Sequence, residues 1–325
     1  MTSLHLARRA VTLGLAATAL AVSGTALAQP KTTRLIVAFP PGGPVDFVAR
    51  TLSEQLGKEL GHTVIVENKA GANGAIAADF VSRSVPDAQT LWLTSVGAVA
   101  INPALYPKLS YKPATDLTPV SLVVNNVEVL VVNAKAPYAT GAEFVAAARR
   151  ASTPLTMASS GTGSVPHLAM ELLNEHAKIK LAHIPYKGAA PAITDVIAGH
   201  VDGFFGDIPG LVGHIAAGKL KPIGLAATKR HPRFPDVKTF AEMGIAGVDS
   251  DNWYALFAAK GTPAADAERV SQAVRRALAA PAVKAKLEAS GAEVAGSTPA
   301  ELAKVLASDS EKWARVVRAN NVTPD

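Results

Sequence analysis

The stretch Phe39-Pro40-Pro41-Gly42-Gly43-Pro44-Val45-Asp46 carries the first sign of chemistry. Gly42 and Gly43 have no side chains, so their backbone N–H groups can come close to a ligand. The apolar run Leu35-Ile36-Val37-Ala38 before them reads as a buried strand. After them, Phe47, Val48, Leu52, Leu56 and Leu60 recur at helical spacing. A strand that turns through glycines into a helix leaves free N–H groups at the positive end of a helix dipole, where an anion is favoured. The design returns further on. Leu155-Thr156-Met157-Ala158 leads into Ser159-Ser160-Gly161-Thr162-Gly163-Ser164-Val165-Pro166-His167, with a helix expected from about Leu168 to His176. Main-chain anion binding from two loops, one in each half of the chain, is the chemistry this pattern supports.

The side chains near these loops admit plainer roles as well. Gly42 and Gly43 also suit a tight turn. Asp46 reads mainly as a cap that accepts free backbone N–H groups, because a carboxylate facing an anionic ligand would repel it. Ser159, Ser160, Thr162 and Ser164 offer hydroxyl donors, but serine and glycine are also ordinary turn residues. His167 reads as a packed, loop-orienting residue. Lys187 can counter a ligand's charge or pair with Asp207, which falls at the end of a strand.

Other chemistries lack their signatures. The sequence has no Gly-x-Ser-x-Gly elbow, no His-Glu-x-x-His and no Gly-Lys-Ser/Thr phosphate loop. The Gly-x-Gly at 161–163 is not a dinucleotide fingerprint, since the third glycine is missing. Ser164 and His167 stand three apart without an evident third group. An enzyme acting on an organic acid through Ser164, His167 and Asp207 is the alternative in another class, and a ligand-sensing partner of a membrane signalling protein is a further one. His62, His183, His200, His214 and His231 are scattered without metal-ligand spacing, so no metal is expected. There is no cysteine, which excludes a thiol nucleophile and disulfide staples.

The elements that must hold these loops alternate. Thr63–Glu67 reads as a strand, 68–74 as a loop, Ala75 to Ser84 as a helix, and Leu91–Thr94 as a strand ending in Ser95-Val96-Gly97. Such alternation argues for helix-covered parallel sheets, with ligands bound beyond the carboxyl ends of the strands. The loops at 39–46, 68–74 and 94–98 then share one rim. Asn102 to Pro119 reads as a loop crossing the surface. Val127 to Val132 carries the chain into a second lobe, and Leu220 to Ala227 is expected to return it. The segment from Pro263 to Ala319 has a helical pattern broken at Pro281, Gly291 and Pro299. The expected organisation is therefore α/β and two-lobed, each lobe a mainly parallel sheet flanked by helices. Residues 29–125 with 227–325 form one lobe and 126–226 the other.

The first 28 residues read as an export signal: Arg8-Arg9, the apolar run Val11 to Val22, and Ala26-Leu27-Ala28 before Gln29. The twin-arginine and ordinary secretory routes both stay open. Without that segment Lys and Arg fall from 32 to 30 against 26 Asp and Glu, a net charge of +4. With no basic block, no nucleic-acid partner is expected.

Five stretches together resemble a known family. They are Phe39-Pro40-Pro41-Gly42-Gly43 with Asp46 and Ala49-Arg50, Val66 to Gly74, Ser159 to Ser164 with His167-Leu168, Pro185-Tyr186-Lys187-Gly188, and Gly218-Lys219-Leu220 to Arg230. In this order they are similar to the substrate-binding proteins of tripartite tricarboxylate transporters, the Bug or TctC-like group. The resemblance implies a periplasmic Venus-flytrap protein, a monomer without cofactor. It would hold a small organic carboxylate and deliver it to the membrane permease subunits of a tripartite transporter. Carried over by position, it implies cleft residues Phe39, Pro41, Gly42, Gly43, Asp46, Asn73 and Ser95 on one lobe. On the other it implies Ser159, Ser160, Gly161, Thr162, Ser164, His167, Lys187 and Asp207. Closure is expected to hinge at 123–130 and 222–228. The sequence departs from the group's pattern at Ala98, where a hydroxyl residue is common, and at Tyr254, where glycine is frequent.

Overall fold

A computed structural model describes residues 31–324; the export segment assigned from sequence lies outside them. The chain starts with the expected alternation: β1 (Thr32–Val37), α1 (Pro44–Leu60), β2 (Thr63–Asn68), α2 (Ala75–Ser82) and β3 (Thr90–Ser95). β1 pairs in parallel with both β2 and β3. It reads as a continuous apolar run because helices cover both faces of the sheet. Ile36 packs in one core with Trp92, while Leu35 and Val37 pack in another with Val48, Leu52 and Leu56 of α1. α1 stops at Gly61, whose φ of +76° lets its N–H turn back to the carbonyls of Gly57 and Lys58.

A π-helical turn at Gly97–Ile101 follows, then helical turns at Asn102–Leu105 and Pro113–Asp116. The stretch read from sequence as a surface loop is partly core. Asn102 and Tyr111 are buried, and the Tyr111 ring meets Trp92 edge-on at 6.1 Å while its hydroxyl bonds the Ala98 carbonyl. Next come β4 (Leu117–Asn125), β5 (Glu128–Asn133), α3 (Gly141–Arg150), β6 (Thr156–Ser159), α4 (Val165–Ala177), β7 (Ala182–Pro185), α5 (Ala189–Ala198), β8 (Gly203–Asp207), α6 (Ile208–Ala216) and β9 (Leu220–Ala226). The chain ends with β10 (Tyr254–Ala259), α7 (Ala264–Ala279), α8 (Pro281–Ser290), β11 (Glu293–Val294) and α9 (Pro299–Ala319).

The strands form two sheets, ordered β11-β4-β10-β3-β1-β2 and β7-β6-β8-β5-β9. The fold is α/β and two-lobed, with helices on the sheets, and the pairing within each sheet is mixed rather than mainly parallel. Each sheet has a parallel trio, β2-β1-β3 or β7-β6-β8. The strands beside the crossings run antiparallel: β10 against β3 and β4, and β5 against β8 and β9. A strand entering a sheet straight from the other lobe has no crossover helix to reverse it, which is why these pairings differ.

The chain first passes from one sheet to the other between Asn125 and Glu128. The return does not occur at Leu220–Ala227. That segment is the edge strand of the second sheet, and the residues after it stay there. Phe240 packs in the core beneath β5, and its N–H bonds the Leu225 carbonyl at 3.0 Å. The chain recrosses at 251–253. There Asn126 and Asn252 exchange backbone hydrogen bonds of 3.1 and 3.0 Å, so the two crossing segments run side by side.

Candidate functional site

The first loop is organised by Asp46, at the start of α1. Its Oδ2 accepts from the Gly42 N–H at 3.0 Å and from Arg50 Nε at 2.9 Å, and its Oδ1 accepts from Asn68 Nδ2 at 2.9 Å. Asn68 Nδ2 also reaches the Phe39 carbonyl at 3.0 Å. Burial alone would raise the Asp46 carboxyl; Arg50, the Gly42 amide and Asn68 outweigh it and hold the group below the usual carboxylate range. The amide of Gly42 is therefore engaged by a side chain of its own loop and is not open to an outside anion. Gly42 still serves the turn, with φ +83°. Gly43 is the residue before the helix, Pro44 opens it, and no side chain caps the first-turn N–H groups.

On the other lobe Ser159 ends β6. Its hydroxyl lies 2.6 Å from His183 Nε2 and accepts from the Gly161 N–H at 3.1 Å. His167 Nδ1 accepts from the Gly163 N–H at 3.2 Å, and its ring stacks on His183 at 3.7 Å. These contacts shape the loop from behind. Helix α4, preceded by Ser164, is not the helix whose start faces the cleft. That place belongs to α5, entered through Gly188 with φ +112° and without a side-chain cap.

Two neighbouring cavities lie between the lobes. The inner one, of about 30 Å³, is lined by Phe39, Pro40, Gly43, Pro44, Val45, Ser95, Ser160, Ala189, Ala190, Asp207, Asn252 and Tyr254. The outer one, of about 260 Å³, shares Phe39, Pro40 and Ser160 and adds Asn73, Tyr106, Gly161, Thr162, Tyr186 and Lys187, with the glycine-bearing turns at 71–74 and 185–188. Of the residues expected in the cleft, Pro41, Gly42, Asp46, Ser159, Ser164 and His167 line neither cavity. Pro41 and Gly42 point to solvent, Asp46, Ser159 and His167 are engaged within their own lobes, and Ser164 is buried with its hydroxyl unpaired.

The two lobes touch around these cavities. Asn73 Nδ2 donates to Asn102 Oδ1 and to the Gly163 carbonyl, both at 2.9 Å, the second bond crossing the cleft. A Cβ on Gly188 would stand 2.9 Å from Pro40 Cδ.

The cleft floor is acidic and buried. Asp207 Oδ2 accepts from the Tyr254 hydroxyl, so a strand end of one sheet is tied to β10 of the other. Glu128, opposite Asp207 across the β5–β8 ladder, accepts from Asn252 Nδ2 at 3.0 Å. Burial raises both carboxyls well above the ordinary range, and Asp207 raises Glu128 further. Asp207 makes no ion pair with Lys187, which is exposed at the outer cavity. Ser164, His167 and Asp207 do not form a catalytic cluster: Nδ1 of His167 is taken by the Gly163 amide, and Asp207 is held by Tyr254. Among the described residues no group of three or more His, Cys, Asp or Glu is placed to hold a metal ion.

The sequence did not point to Pro40, Ala189, Ala190 or Asn252 as cleft residues, while Tyr254 stood out only as a departure from the family's pattern. For Ala189 and Ala190 the signal was Gly188, a glycine between a strand and a helix like Gly43. For Asn252 there was none, because only the second crossing brings it to the floor.

Two α/β lobes joined by paired crossing segments, with uncapped helix ends facing a shared cleft, define a solute-binding protein. The profile of the tripartite tricarboxylate transporter family receptor matches residues 48–322, and the chain belongs to that family. Its fold is similar to the structure of periplasmic binding protein BugD, with a TM-score of 0.86 and 31% identity over 90% of this chain and 99% of that one. MatC from Rhodopseudomonas palustris with bound malate matches with a TM-score of 0.84 and 34% identity, covering 88% and 98%. R. palustris Rpa4515 with adipate matches at 0.87 and 28%, covering 91% and 100%. No described helix is long and apolar enough to cross a membrane.

Proposed function

We propose that this protein is a periplasmic receptor that captures a small organic carboxylate between its lobes and delivers it to the permease subunits of a tripartite transporter. The observation that carries this reading is the meeting of two uncapped helix starts, α1 from one lobe and α5 from the other, at one inner cavity. Helix N-termini offer unpaired N–H groups and a favourable dipole to an anion. The inner cavity, about 30 Å³, is the smaller of the two and suits the acid group, and the outer one, about 260 Å³, suits the rest of the cargo. Malate in MatC and adipate in Rpa4515 are acids of this kind. Gly43, Ser95, Ser160 and Asp207 are the expected residues that meet the acid group, and Phe39, Asn73, Gly161, Thr162 and Lys187 those that meet the body.

The role requires binding without turnover. It is that of a monomer, exported by its first 28 residues and working without a cofactor. The lobes comprise residues 32–125 with 252–324 and residues 126–251, and they hinge at the paired crossings. Thermal melts and calorimetry with malate, adipate and a neutral sugar test the reading. An acid at about 100 times its Kd should add about 2.7 kcal/mol of stability. Product formation from the acid, or stabilisation by the sugar alone, would reject it.

A further inference from the structure

The inner cavity presents a contradiction. Its helix starts favour an anion, yet Asp207 lines it and Glu128 lies directly behind, and no lysine, arginine or histidine among the described residues bonds either carboxyl. The two acids are cross-strand partners in the β5–β8 ladder and both are buried. Two buried carboxylates side by side with no cation to balance them cannot both stay ionised cheaply, and one proton on the pair relieves the repulsion. The oxygens agree. Glu128 Oε1 accepts from Asn252 and Asp207 Oδ2 from Tyr254, while Glu128 Oε2 and Asp207 Oδ1 are buried without a hydrogen-bond partner, as an unseen proton on the pair would explain. A buried oxygen of Asn252, a lining residue of the cavity, is also unpartnered.

We propose that Glu128 and Asp207 form a proton-binding site linked to the carboxylate site: Glu128 holds one proton in the empty protein, and Asp207 takes up a second when the cargo's acid group enters. This rests on the carboxylate reading above. Asp207 lines the inner cavity, so a carboxylate placed there comes close to it and the two sites are linked. A new negative charge beside an ionised carboxylate favours its protonation. By reciprocity, a protonated Asp207 favours the anion. The proton comes from solvent and joins Asp207; no other bond changes.

The other titratable groups around the pair do not replace this role. Tyr254, facing from β10, keeps its proton, its hydroxyl raised far above the ordinary value by burial and by Asp207. Asp251, on the crossing segment, faces Asp249, Lys312, Asp309 and Glu293 instead. His231 lies near Gly291 and is held below its usual value, by burial first. Asp46 of α1 is occupied by Arg50.

The sign follows from linkage. The empty protein loses the Asp207 proton at lower pH than the loaded one, so affinity falls as pH rises between those two points, by up to about tenfold per pH unit. Calorimetry of malate and adipate in two buffers of different ionisation enthalpy should show proton uptake, with Kd rising between neutral and alkaline pH. In Asp207→Asn the uptake and the pH dependence should vanish, and at alkaline pH the variant should bind more tightly than the wild type. Binding with no proton exchange would overturn the proposal, as would Asp207→Asn weakening the affinity equally at every pH. The infrared band of a protonated carboxyl provides a check without ligand: it should be present at neutral pH and reduced in Glu128→Gln. A missing band overturns the proton site whatever binds. A band together with no binding of any acid would instead reject the carboxylate reading, and the coupling with it.

Discussion

Gly188 shows how a single missing side chain sets the distance between two lobes. Its φ of +112° is costly for any residue with a Cβ, and that Cβ would press on Pro40 of the opposite lobe at 2.9 Å. Gly188→Ala should cost about 1–3 kcal/mol through backbone strain, and the forced separation should weaken malate or adipate binding by at least about tenfold. Gly213→Ala in α6 is the control: its Cβ would meet nothing within 4 Å, and alanine suits a helix, so affinity in calorimetry should not change. Asp46 governs the facing loop by bonding rather than by space. Its carboxyl is held below the ordinary range, so the unfolded chain binds more protons than the folded one as pH falls through that range. The stability Asp46 contributes is present above the ordinary carboxylate pKa and is lost as pH drops toward its folded value. Acid melts of the wild type and Asp46→Asn should therefore converge at low pH and differ at neutral pH by about 1–3 kcal/mol, the scale of a buried group left unpaired. A constant difference at every pH would show that the charge plays no part.

Among the elements, what was legible in sequence was whatever local pattern decides. α1 follows from the spacing of Val48, Leu52 and Leu56, and β1 from an unbroken apolar run. The breaks between α7, α8 and α9 follow from Pro281, Gly291 and Pro299. Pairing partners were not legible. β9 is apolar enough for either sheet, and only its long-range ladder with β5 places it in the second, where Leu225 then holds the segment around Phe240. The cleft was half legible for a related reason: a glycine before a helix marks a possible anion site, but which helix start faces the cavity depends on the whole sheet, so α5 rather than α4 holds the place. The start of α9 is the case where local pattern suffices. Thr298 Oγ1 accepts from the Glu301 N–H at 3.2 Å, and Glu301 Oε2 accepts from the Thr298 N–H at 2.8 Å, a reciprocal cap read directly from Thr-Pro-Ala-Glu. Thr298→Ala should lower stability by about 1 kcal/mol in denaturant melts. Ligand affinity should stay the same, because α9 contributes no residue to either cavity.

In the whole molecule, the cleft is closed by contacts that a ligand would have to reinforce. Asn73 reaches across from one lobe to the Gly163 carbonyl of the other, and Tyr254 binds Asp207 at the floor. The second bond sits beside the crossings, where Asn126 and Asn252 hold the two segments together, so it moves little when the lobes part. The Asn73 bond lies at the outer cavity, far enough from the hinge to break on opening. Removing it should therefore shift the balance between open and closed forms without touching the acid site. An intramolecular hydrogen bond contributes about 0.5–1.5 kcal/mol net, so Asn73→Ala should weaken malate or adipate binding by roughly threefold to tenfold. The loss should appear in the dissociation rate, since the contact helps hold the closed form shut over the ligand. Small-angle scattering should show the ligand-free variant more expanded than the ligand-free wild type, and both equally compact when saturated. Equal dimensions in the free state, with affinity lost through the association rate, would mean that Asn73 guides the ligand in and does not latch the lobes.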